Sequence, residues 1–178
     1  MENPAIGNNF HWYPLYTKPR HEFKAEEQLK GCGVEFFLPK VTRIKQWSDR
    51  KKKVTEPLFS GYIFVRGNER ERLLALEQYA IVRSIFFEGV PAIVPDWQIE
   101  NLKIMLEGGT DIEVSDRMKV GTSVKIISGP FKDVEGIIYE LPNQERMLAI
   151  TIDFLRQTII VKIPAESLIE TKGKEKNG

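Results

Sequence analysis

The sequence predicts an α+β chain in two parts: a mixed helix-and-strand N-terminal half and an all-β C-terminal half of the small SH3-like barrel type. Helix-period and strand-period patterns alternate as far as Gly109, whereas only strand-like runs follow Val120. Between them Thr110–Lys119 comes after a double glycine and carries few apolar residues, which marks a linker. A length of 178 residues has room for two small domains of this kind.

Trp12–Thr17 is apolar and aromatic, as a strand should be, and Pro19 ends it. A helix is expected from Arg20, with Ala25, Leu29 and Cys32 on one buried stripe and with Gly31 and Gly33 stopping it. Phe23 falls about half a turn off that stripe and is expected at the surface. Val34–Trp47 mixes β-branched, aromatic and basic residues as one long strand would, and SDRKKK is its polar tip. Gly61–Arg66 is a third strand. ERERLLALEQY then reads as a short helix that buries Leu73, Leu76 and Leu74. A fourth strand spans Ile81–Phe87, and Gly89 turns the chain toward Ala92–Val94. Asp96, after Pro95, is a good N-cap for a helix over Trp97–Glu107, which Gly108 and Gly109 end. On that helix Ile99, Leu102 and Leu106 share one stripe, while Trp97 and Ile104 lie elsewhere.

In the second half SVKII, EGIIYEL, MLAITIDFL and QTIIVKI are separated by GPFKD, PNQER and a turn near Arg156. Short strands at such close spacing suggest the small barrel, and the polar TKGKEKNG tail is expected to fray. The density of Val, Ile and Thr argues against a helical alternative for this half, because pattern and local preference agree on strands.

A hydrophobic fraction of 42% with 29% charged residues is that of a folded protein rather than a disordered chain. No apolar run approaches the roughly 20 residues of a membrane span, and the start MENPAIGNNFHW lacks a signal sequence, so a cytoplasmic protein is expected. Cys32, the single cysteine, has no internal disulfide partner and is too little for a zinc site. Catalysis is not expected. There is no HxxxH or CxxC pair, no phosphate loop and no Gly-x-Ser-x-Gly elbow, and Gly129-Pro130 with Lys132 lacks the helix that a phosphate cradle needs.

The net charge of +1 conceals two opposed patches. Lys40–Lys53 carries seven basic residues against Asp49 alone, and Asp96–Asp116 carries six acids against Lys103 alone. Arg50, Lys51, Lys52 and Lys53, on a protruding tip, would meet nucleic-acid phosphates as sequence-independent point charges. Read as a solvated hairpin end, the same run has no partner. Lys18, Arg20, His21 and Lys24 form a second basic group at the start of the first helix.

WYPLYTKPRHEFKAEEQL near the start, PLFSGYIFV in the middle and VGTSVKIISGPFKDVEGII in the second half resemble, in order and spacing, the NusG family of transcription elongation factors. The first two segments match that family's N-terminal domain and the third its KOW motif. Within the family, KPRHE and FLP are most similar to the specialised paralogues related to RfaH and to the UpxY regulators of polysaccharide operons. The resemblance implies an N-terminal domain over residues 1–109, an antiparallel sheet with flanking helices. A linker over 110–119, an SH3-like KOW barrel over 120–171 and a polar tail over 172–178 would follow.

It also implies a bacterial, cytoplasmic, monomeric elongation or antitermination factor that acts by binding, with no cofactor. The N-terminal domain would dock on the clamp helices of RNA polymerase and bridge the cleft. The KOW domain would contact the ribosome through NusE or, in general NusG proteins, the termination factor Rho. By alignment with the family Tyr16, Leu58, Phe59, Tyr62 and Phe64 form the polymerase-binding surface. Strand alternation fits this, since Tyr62 and Phe64 share one face and Ile63 and Val65 the other, leaving an aromatic face to seat the apolar side chains of a partner helix. The basic tip would touch DNA of the elongation complex, and the Lys18–Lys24 group lies where specialised relatives meet the non-template strand. Gln28, Gly31 and Cys32 depart from RfaH's polar helix face, so RfaH-like sequence readout is not implied. The rival reading is an RNA-binding, ribosome-associated KOW protein, which would associate with ribosomes or RNA without polymerase.

Overall fold

The computed structural model describes residues 9–108, 112–115, 120–143, 145–152, 157–164, 166, 167 and 169–171. The flanks of the expected linker and the whole polar tail lie outside the described residues. The chain divides into two compact units after Ile99.

The first unit opens with β1 (His11–Thr17) and α1 (Glu22–Cys32). Gly31 does not stop α1. The helix runs through it to Gly33, whose left-handed backbone (φ 72°) caps the end with its N–H on the Leu29 and Lys30 carbonyls. The single long strand expected next is two, β2 (Glu35–Phe37) and β3 (Lys40–Gln46), because Leu38-Pro39 interrupts the ladder. Then come β4 (Lys51–Pro57), β5 (Tyr62–Gly67) and α2 (Glu69–Leu76). A capping box starts α2: Asn68 Oδ1 accepts from Arg70 N–H, and Asn68 N–H donates to Glu71. The fourth strand also splits, into β6 (Ile81–Ser84) and a short hairpin of β7 (Phe86–Phe87) and β8 (Val90–Pro91).

The main sheet is antiparallel, in the order β2-β5-β1-β6. Leu15 opposes Ile63 and Tyr13 opposes Val65, and this face packs with Ala25 and Leu29 of α1 and Ala75 of α2. Leu73 is not in the core. It is half exposed, and Arg72 takes the inward position beside Ala75. The guanidinium is tolerated there because it donates to Ser84 Oγ (2.6 Å) and to both Glu69 oxygens. The Glu69 hydrogen bond holds the Arg72 pKa up, and the reciprocal bond holds the Glu69 carboxyl down.

The last helix, α3, spans Asp96–Gly108. Its buried apolar residues are Ile99, Leu102 and Met105, with Leu106 half-buried instead of on the stripe. In the second unit Asn101 Nδ2 donates to Glu135 O (3.3 Å), so the later turns of α3 belong with the C-terminal sheet.

That sheet comprises β9 (Glu113–Ser115), β10 (Thr122–Ile126), β11 (Glu135–Glu140), β12 (Arg146–Ile152), β13 (Gln157–Lys162) and β14 (Ile169–Thr171). Its order is β14-β10-β11-β12-β13-β9, antiparallel throughout, and among the described residues it does not close into a barrel. Part of the expected linker is thus strand, since Glu113–Ser115 pairs with β13 and covers an edge otherwise open. Val124, Ile126, Phe131, Leu148 and Ile159 are fully buried in this unit.

Candidate functional site

Register brings Tyr62 of β5, Tyr16 of β1 and Arg83 of β6 into one cross-strand row. The two rings meet edge to face with centroids 5.3 Å apart, and the Arg83 guanidinium lies 5.7 Å from the Tyr16 centroid. Both tyrosines are half-buried. Gly61 makes this row possible: at φ 82° it lets the turn approach so closely that a Cβ would sit 3.3 Å from the Tyr16 ring. Its carbonyl accepts from Thr17 N–H (2.8 Å) and its N–H donates to the buried Glu22 carboxylate (2.7 Å).

Leu58, Phe59 and Phe64, expected beside these tyrosines, are placed differently. Phe59 is 1% and Phe64 0% exposed, and Phe64 packs against Phe37 and Phe59. Strand alternation sets which face a side chain takes but not whether something covers it, and here the 58–61 turn folds over that end of the sheet. Exposed apolar residues of this unit include instead Val82, Phe86, Phe87, Val90, Ile93 and Trp97, with Phe87 69% exposed. A signal for the β7–β8 pair was present in FFEGV. Adjacent residues of a strand point oppositely, so one of Phe86 and Phe87 had to face outward.

The Lys18–Lys24 group does not act as one cluster. Lys18 Nζ lies 3.2 Å from the centroid of Tyr79, and the His21 ring meets the same tyrosine at 6.2 Å. His21 Nδ1 and Pro19 O are 2.8 Å apart, which orients the imidazole. Tyr79 is 66% exposed and its segment is pinned, because Ala80 N–H donates to Gln28 Oε1 and Ala80 O accepts from Lys18 N–H. Lys24 pairs with Glu27 (3.1 Å), and Arg20 is exposed on a left-handed turn at φ 61°. Sequence reading missed Tyr79, which lies 61 residues from its lysine. Phe23 is exposed as expected.

The ribbon of β3 and β4 bears the densest charge. Glu56 binds Lys45 (2.6 Å) and lies 3.8 Å from Arg43, and the Lys45 hydrogen bond holds its carboxyl below the ordinary value. Arg50 pairs weakly with Asp49 (3.7 Å). Among the described residues Lys51 and Lys53 have no ion-pair partner, and Lys52 Nζ lies 5.1 Å from the centroid of Trp47. The tip thus retains a net positive field that acidic neighbours do not cancel.

Cys32 is half-buried and its Sγ contacts Leu29 O. Among the described residues no group of three His, Cys, Asp or Glu side chains could hold a metal ion, and no helix is long and apolar enough to cross a membrane.

Residues 10–103 match the protein family described as "Transcription termination factor nusG". The chain is 24% identical over 181 residues to "Transcription termination/antitermination protein NusG" of Staphylococcus carnosus (strain TM300), covering 88% of this chain and 93% of that relative. A solved structure described as "Domain interaction in Thermotoga maritima NusG" is similar at 27% identity, covering 88% of this chain and 98% of the other, with a TM-score of 0.47. The MjSpt4:Spt5 complex in its conformation B is similar at 17% identity, covering 92% and 99%, with a TM-score of 0.31.

Proposed function

The chain belongs to the NusG family of transcription termination and antitermination factors, and from that premise we propose that its N-terminal domain docks on RNA polymerase while its second half recruits another partner. The observation that carries the docking is the Tyr62–Tyr16–Arg83 row. It offers two half-exposed rings and a cation on a rigid sheet. Rings of this kind give large contact area at small entropic cost, and the guanidinium adds a partner for a carboxylate. A clamp helix with apolar and acidic residues on one face would fit it. Phe59 and Phe64 then support the surface from beneath instead of touching the polymerase.

The hairpin lysines reach DNA of the elongation complex as phosphate contacts. The Lys18, His21 and Tyr79 group supplies a second, smaller nucleic-acid contact, and with KPRHE it supports a place among the specialised paralogues. The C-terminal sheet, completed as an SH3-like KOW barrel, takes the ribosome through NusE or takes Rho. A role in regulating elongation by binding alone needs no cofactor and no catalytic group.

The deciding measurement is binding of nuclease-treated core RNA polymerase to wild-type protein and to Tyr62→Ala and Arg83→Ala variants. Losses of about 2 kcal/mol are expected for a central ring, with unchanged thermal unfolding. Polymerase that binds both variants as it binds wild type would remove this surface from the docking site. Association with ribosomal RNA and none with nuclease-treated polymerase would favour the RNA-binding reading.

A further inference from the structure

The β3–β4 hairpin has two unlike faces, and its tip holds a tryptophan that phosphate binding does not explain. Lys45, Lys52 and Glu56 share one face, with Lys52 directly opposite Lys45 in the ladder. The other carries the Thr42–Thr55 hydroxyl contact (2.9 Å), then Ile44 opposite Lys53 and Gln46 opposite Lys51. Trp47 follows at the turn and is 49% exposed. The tip therefore presents a flat, half-exposed ring among basic side chains.

The indole is also held. Trp47 N–H donates to Arg50 O (2.8 Å), closing the turn, and Gln46 Nε2 donates to Trp47 O (3.0 Å). Both backbone polar groups of Trp47 are thus fixed, so the ring projects from a defined point. Lys52 Nζ lies over the ring, 5.1 Å from its centroid, and Lys51 and Lys53 stand on the other face of the ribbon. A ring with lysines around it is a stacking platform for a base whose own phosphates reach those lysines. A duplex offers phosphates but hides its base faces, so only an unpaired base can use the indole.

We propose that Trp47 stacks on an unpaired base of single-stranded DNA, making the hairpin tip a sensor of strand separation as well as a phosphate contact. This rests on the nucleic-acid reading of the hairpin lysines. Charge complementarity selects a polyanion, and the exposed indole selects one with accessible bases.

The test uses the full chain with a fluorescein-labelled 15-nucleotide oligothymidine and a 15-base-pair duplex at low salt. Trp47→Ala should lower affinity for the single strand about tenfold or more and change duplex affinity less than twofold, while Trp47→Phe retains most of the single-strand affinity. A variant with Lys51, Lys52 and Lys53 changed to Gln should lose affinity for both probes. Circular dichroism of Trp47→Ala matching wild type confirms that an exposed turn, not the fold, was altered. Unchanged single-strand binding by Trp47→Ala, or equal loss on both probes, overturns the stacking. Tighter binding of oligouridine RNA than of oligothymidine overturns DNA as the occupant. Were the lysine variant to bind as wild type, the phosphate reading itself would fall, a result separable from failure of Trp47 alone.

Discussion

Two antiparallel pairs of nearly equal length behave in opposite ways. The pairing of β1 with β5 joins six residue pairs and that of β3 with β4 joins seven. Tyr13, Leu15, Ile63, Phe64 and Val65 of the first are buried, whereas in the second only Val41 is. Backbone hydrogen bonds in such a ladder mostly replace bonds to water, so their number does not rank stability. Burial does. An isolated two-stranded ribbon is marginal in water, and this one is held by cross-strand contacts such as Thr42–Thr55 and Lys45–Glu56. The first ladder is therefore kept for what it buries and the second for what it displays.

The comparison can be broken most severely at Phe64. Phe64→Ala should cost about 3–5 kcal/mol in urea unfolding, since the ring is wholly buried among Phe37 and Phe59. A loss under about 1 kcal/mol would mean that this face is surface after all. Next is Arg72→Ala, expected to cost about 3 kcal/mol because it strips hydrogen bonds from Ser84 and leaves Glu69 unpaired. The same pair predicts a pH dependence. Glu69 is held below its ordinary value of 4.5 by the Arg72 bond, so its contribution is complete above 4.5 and is lost as pH falls through the lower folded value. Glu69→Gln should accordingly flatten the acid limb of the stability profile. The smallest stability effect is expected in the ribbon, where Glu56→Gln should change unfolding by less than about 0.5 kcal/mol. That variant should nevertheless bind DNA more tightly and with a log–log salt slope steeper by about one, because Lys45 is released for a phosphate.

The ribbon's basic run was legible in the sequence because it is local, whereas its second strand, Lys51–Pro57, was missed because a run of three lysines masks the strand pattern. The aromatic face was only half legible. Alternation correctly put Tyr62 and Phe64 on one side, but the cover over Phe64 comes from the 58–61 turn, and no periodicity reports a turn folding back. On α2 the leucines suggested the stripe, while the inward position went to Arg72. Its partner Ser84 lies 12 residues on, where helix periodicity carries no signal. Tyr79 escaped notice for the same reason, since its cation comes from Lys18. Strand β9 was hidden because three residues beside a double glycine are too short for a pattern. Element types, then, follow from local chemistry, and the identity of a surface follows from contacts distant in sequence.

Gly61 reaches beyond its own turn. Its N–H holds the carboxylate of Glu22, 39 residues earlier, and its carbonyl holds Thr17. The loop that carries Lys18 and His21 and the loop that shapes the tyrosine row are therefore fastened at a common point, with no slack for a side chain at 61. Over evolutionary time an insertion in either loop would displace the groups that the other depends on. Among relatives these two loops should conserve their lengths together, while the tip of the β3–β4 ribbon, remote from the Leu58 N–H to Pro39 O bond that fastens its base, is free to lengthen, shorten or change as the nucleic acid it meets changes.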